Sequence, residues 1–211
     1  MYQIFFYAAL FIGIIPFCIL LLQKKAFSTG DGIIPFVWLT GIATVYELIG
    51  TVIFKINTNY WFQLYPLLEF LAVFYFFSNL FKEKYKIIFR VFLALFIISY
   101  FLSFIFWSSS QKFLPLAINT IPLTVFVLFC SYAWFKRMFE TTSIENPWQN
   151  SSFYFVSGFL VYHSSTFLLF ILGNYLFNSN KYIYDYWLVN ILATFVLRTF
   201  LIIGVCKMKQ D

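Results

Sequence analysis

Acidic, basic and amide side chains recur at helical spacing inside stretches that are otherwise apolar. Thr40, Thr44, Glu47 and Thr51 follow one another at intervals of four, three and four, which sets them on one face of a helix. Trp187, Asn190, Thr194 and Arg198 repeat the pattern at three, four and four, and Tyr65 and Glu69 stand four apart beside Pro66. The single histidine, His163, lies among Ser157, Gly158, Ser164, Ser165 and Thr166, and another apolar stretch holds Asn119 and Pro122. These side chains divide by chemistry. Glu47 and Glu69 could hold a cation or a proton; Tyr65, Asn119, Asn190 and Trp187 could orient a solute; Arg198 and His163 could form an ion pair or a gate. Thr and Ser at such spacing also serve as plain interhelical hydrogen-bonding groups, and Glu47, Glu69 and Arg198 could equally form a structural salt-bridge network.

The elements that must position them are membrane-spanning helices. Of 211 residues, 62% are hydrophobic and only 10% charged, and the mean hydropathy is +0.85. Soluble domains do not carry that composition. Seven stretches approach the ~20 apolar residues that cross a bilayer: residues 3–22, 33–54, 60–81, 87–107, 113–135, 152–177 and 183–206. The expectation is therefore an all-α polytopic membrane protein, one domain over residues 1–211 formed as a single seven-helix bundle. The first and fourth helices carry the fewest polar groups and are expected at the periphery, facing lipid.

Lys24, Lys25, Lys82, Lys84, Lys86, Arg90, Lys136, Arg137, Lys207 and Lys209 fall at alternate ends that share one side, against Lys55, Lys112 and Lys181 on the other. The positive-inside rule then puts the N-terminus outside, the C-terminus in the cytoplasm, and the chain in a plasma or inner membrane. The first helix reads as an anchor rather than a cleaved leader, because its lysines follow it. The net charge of +6 is thus mostly topological, and no nucleic-acid partner is expected. Five tryptophans (Trp61, Trp107, Trp134, Trp148, Trp187) lie near helix ends, as interfacial anchors do.

Depth follows from the ~1.5 Å rise per helical residue. Glu47, Glu69, Asn119 and Asn190 are expected roughly 10 Å below the outer surface, with His163 and Arg198 roughly 20 Å down. Side chains lean toward their helix N-terminus, so Arg198 leans outward and Glu47, on an oppositely directed helix, leans inward. Glu47–Arg198 is the first-choice ion pair, with Glu69 the competing partner.

Several chemistries are set aside. One histidine without a Cys or acidic cluster gives no zinc or di-iron site, no cofactor motif is present, and no lysine sits mid-helix to carry a retinal Schiff base. Cys18, Cys130 and Cys206 offer no extracellular disulfide. An intramembrane hydrolase pairing Ser157 or Ser164 with His163 is the one enzymatic reading left open.

Pro16, Lys24-Lys25, Ser28-Thr29, Pro35 and Gly50, taken with Asn190 on the seventh helix, resemble features of the SWEET and PQ-loop seven-helix carriers. The resemblance implies a three-plus-one-plus-three layout. It also implies hinging at prolines such as Pro16, with Pro122 a further hinge candidate, and a pocket lined by Asn190. That family's third-helix asparagine would fall near Glu69, and a carboxylate there favours a cationic or proton-coupled substrate. The expected function is a small-solute carrier with an outward-accessible pocket between helices two, three, five, six and seven. The alternative is a sensory or adaptor subunit that binds an extracellular or lipid ligand and acts through a separate membrane partner, its 138–151 loop being the contact. Lipid and a second copy of the chain are further candidate partners.

Overall fold

The computed structural model describes residues 2–25, 31–56, 59–82, 84–107, 113–141, 146–178 and 183–208. Every long element among them is helical: α1 (Tyr2–Leu22), α2 (Ile34–Val45, continuing as a π-helical segment over Tyr46–Ile53), α3 (Asn59–Phe81), α4 (Lys86–Ile105), α5 (Phe113–Thr141), α6 (Ser151–Asn178) and α7 (Ile183–Lys207). Seven of these helices are long and apolar enough to cross a membrane. In lipid each backbone polar group must be satisfied within its own segment, which a helix does and an isolated strand cannot.

Most boundaries lie within two residues of the sequence reading, but α5 and α2 depart from it. α5 runs six residues past Phe135, because Lys136, Arg137 and Glu140 are good helix formers and Lys136 pairs with Glu140 one turn on, at 3.8 Å. Asn146-Pro147 then opens a short 3-10 turn, Pro147–Gln149, with the Asn146 side chain accepting from the Trp148 N–H at 3.1 Å. The C-terminal part of α2 widens into π geometry, its Phe54 N–H reaching back five residues to the Ile49 carbonyl at 3.0 Å. Stretches of this kind concentrate at functional sites.

α1, α2, α3, α5, α6 and α7 pack in sequence around a ring that α7 closes against α1, and α4 lies outside it against α5 and α3. The peripheral position expected for α4 is found. Ile87, Ile98, Phe101 and Ile105 are all exposed along it, a surface suited to lipid rather than water. α1 is instead part of the ring, wedged between α2 and α7 through small residues that polarity alone did not mark. A Cβ on Gly13 would lie 2.7 Å from the Arg198 Cζ. The Lys25 ammonium donates to the Met208 carbonyl and the Gln23 amide donates to the Val205 carbonyl at 3.3 Å, so the end of α1 caps the last turn of α7.

One half of the bundle is filled by aromatic rings. Phe36 meets Phe159 edge to face at 4.7 Å, Phe77 meets Phe126 at 5.8 Å, and Phe70 stacks on Phe96 at 3.8 Å. These rings join α2, α3, α4, α5 and α6 into a dry layer. Cys130 is buried in the same layer, while Cys18 and Cys206 are exposed.

Candidate functional site

Above that layer, toward the end at which α3, α5 and α7 begin, a cavity of about 280 Å³ lies within the ring. α2 supplies Thr40, Ala43, Tyr46, Glu47 and Thr51 to its wall; α3 supplies Trp61, Phe62, Tyr65, Pro66 and Glu69. From α6 come Tyr162, His163, Thr166 and Phe170, from α7 come Trp187, Asn190, Thr194, Leu197 and Arg198, and α5 adds Leu116, Thr120 and Leu123. The five helices are those expected to frame a pocket. Glu47, Glu69, Tyr65, Asn190, Trp187, Arg198 and His163 therefore share one cavity, although they come from four separate helices.

Their partners differ from expectation in one respect. The Arg198 guanidinium donates to the Ala9 carbonyl of α1 and, at 3.2 Å, to the Thr44 hydroxyl of α2. Thr44 in turn donates to the Thr40 carbonyl at 2.7 Å. Among the described residues neither carboxylate touches Arg198, and Glu47 acts on it through space rather than by contact. The reason is the ring itself: α1 closes beside α7 and brings a carbonyl within reach of the guanidinium before α2 can bring Glu47.

Glu69 and His163 are both more than nine-tenths buried, at 7% and 2% exposure. Among the described residues the Glu69 Oε1, the His163 Nε2 and the Asn190 Oδ1 have no hydrogen-bond partner. Buried polar groups without partners are costly and rare, and in a pocket they mark where a ligand or water bonds.

Asn119 is not in the cavity. Its Nδ2 donates at 3.1 Å to the Ser103 hydroxyl, which also receives the Gln63 amide at 3.0 Å and donates to the Tyr100 carbonyl at 2.7 Å. This buried knot fastens α4 to α3 and α5, and Asn119 turns to it because Ser103 supplies an acceptor on the neighbouring helix. Ser103→Ala leaves two buried amides without that acceptor, so unfolding stability should fall by about 1–3 kcal/mol with ligand binding unchanged. A thermal or SDS unfolding curve beside a binding isotherm checks this. Pro16 and Pro122 sit inside the continuous helices α1 and α5, outside the cavity wall.

Tyr46, Trp61, Tyr162 and Thr166 line the cavity though sequence reasoning gave them no binding role. Trp61 was assigned to the interfacial belt, yet it stands four residues before Tyr65 and eight before Glu69, on their face of α3. Tyr162, Thr166 and Phe170 repeat that spacing on α6. Tyr46 stacks on Trp61 with centroids 4.7 Å apart and 27° between planes, and Trp61 lies 5.8 Å from Tyr65. The Ser164 hydroxyl is turned back to the Leu160 carbonyl at 2.7 Å, away from the imidazole. Among the described residues no group of three or more His, Cys, Asp or Glu side chains comes together as a metal site.

Comparison of the chain with protein-family models, with curated proteins and with solved structures finds no match. The functional reading rests on the cavity.

Proposed function

We propose that this integral membrane protein is a carrier for a small solute, held in the cavity between α2, α3, α5, α6 and α7 and reached from outside a plasma or inner membrane. The observation that carries the reading is that Glu69, Asn190 and His163, each with a polar atom unpartnered among the described residues, line one cavity between helices long and apolar enough to cross a membrane. Ionisable groups within such helices are maintained by pairing or by function. Glu69 and Glu47 bind the charged or proton-carrying part of the solute, Asn190, Tyr65 and Trp187 orient it, and Arg198 sets the pocket floor.

The Phe36–Phe159 and Phe77–Phe126 contacts lie below the cavity and fit an outward-open state. The π-helical end of α2 supplies a segment whose return to α geometry would narrow the entrance. Nine basic residues, from Lys24 to Lys207, occur at the described helix ends assigned to the cytoplasm, with Lys55 opposite, and support N-terminus outside.

A carrier must expose its pocket to each side in turn. Asn190→Cys in a cysteine-free background should therefore react with an impermeant thiol reagent both in intact cells and in inverted vesicles. Reaction confined to the outer face contradicts a carrier and supports the ligand-binding adaptor.

A further inference from the structure

Resting on the binding role just proposed for the cavity, we infer that its ligand is a monocationic primary amine carried on a flat apolar body. Charge comes first. Glu47 and Glu69 bring two carboxylates to the cavity wall and Arg198 brings one guanidinium, whose donors are already directed to the Ala9 carbonyl and Thr44 hydroxyl. One positive charge on the ligand balances that wall. A cationic ligand lets both carboxyl groups ionise beside it, whereas with a neutral ligand a buried carboxyl takes up a proton instead, and an anion opposes their ionisation.

Hydrogen bonding then selects the kind of cation. The Glu69 Oε1, the Asn190 Oδ1 and the His163 Nε2, from residues that line one cavity, have no partner among the described residues. A carboxylate and an amide oxygen are acceptors, and so is an imidazole nitrogen in the tautomer protonated at the other position. An ammonium group carries three donors and no acceptor. A quaternary ammonium ion has no N–H to donate to any of these acceptors.

Shape supplies the rest. Tyr46, Trp61 and Tyr65 form a continuous aromatic wall, with centroid separations of 4.7 and 5.8 Å, and Trp187 joins the same cavity. Aromatic faces attract both cations and flat apolar bodies. The cavity of about 280 Å³ has room for a small aromatic amine such as benzylamine, which occupies well under that volume.

The test is calorimetric titration of the full chain in lipid nanodiscs with benzylamine, benzyl alcohol, benzoate and benzyltrimethylammonium. Benzylamine should bind at least about tenfold more tightly than each of the others, and Asn190→Leu should weaken it about fivefold. Preference for the alcohol, the carboxylate or the quaternary ion overturns the inference, as does absence of amine binding at millimolar concentration. The two proposals fail separately. Two-sided labelling of Asn190→Cys without amine preference retains the carrier and removes the amine; amine preference with one-sided labelling does the reverse.

Discussion

Arg198→Leu should destabilise the folded protein by about 3 kcal/mol or more and abolish ligand binding. The guanidinium is the point at which α7, α1 and α2 are joined, through the Ala9 carbonyl and the Thr44 hydroxyl. A hydrogen bond from a charged donor contributes about 1.5–3 kcal/mol, and leucine forfeits two of them. It also removes the positive charge that offsets Glu47. Arg198→Lys should restore the charge and only part of the stability, because a single ammonium lacks the planar fork that reaches two helices at once. Gly13→Ala attacks the same junction from α1, since its Cβ would lie 2.7 and 2.8 Å from guanidinium atoms. Unfolding midpoints for the three variants check this ordering. Full stability in Arg198→Lys would show that the fork geometry is irrelevant.

Glu69→Gln should have the opposite profile: binding of the amine probe falls about a hundredfold, while unfolding stability holds or rises. Glutamine has nearly the same shape, so packing is retained. Among the described residues the Glu69 Oε1 has no hydrogen-bond partner to lose with the charge. What is lost is the attraction between a desolvated carboxylate and the ligand's charge, which is worth most where water is excluded. A stability loss comparable with that of Arg198→Leu would instead place Glu69 in a structural network. These variants separate binding from folding because Arg198 joins three helices, whereas the Glu69 Oε1 has no partner among the described residues.

Most of the fold was legible because a bilayer imposes length and satisfaction of the backbone. Residues 60–81 and 183–206, taken from hydropathy alone, differ by one residue from α3 (Asn59–Phe81) and α7 (Ile183–Lys207). Helical spacing likewise grouped Thr40 with Glu47, and Asn190 with Arg198, on faces that do meet the cavity. Helix neighbours were harder to read. Arg198 finds the Ala9 carbonyl rather than Glu47 because α1 closes the ring, and a backbone carbonyl leaves no mark in a sequence. Asn119 was misplaced because Ser103, an inconspicuous residue on a lipid-facing helix, is fully buried and captures it. The aromatic wall was missed because tryptophans near helix ends are usually interfacial, and only the four-residue spacing from Trp61 to Tyr65 distinguished it.

The measurement that tests the account most directly is native mass spectrometry of the protein released gently from lipid, wild type beside Glu69→Gln. A small cationic molecule bound to the wild type and missing from the folded variant is the predicted result. Identical spectra from the two proteins, with an empty pocket and a stoichiometric protein partner retained, would contradict it.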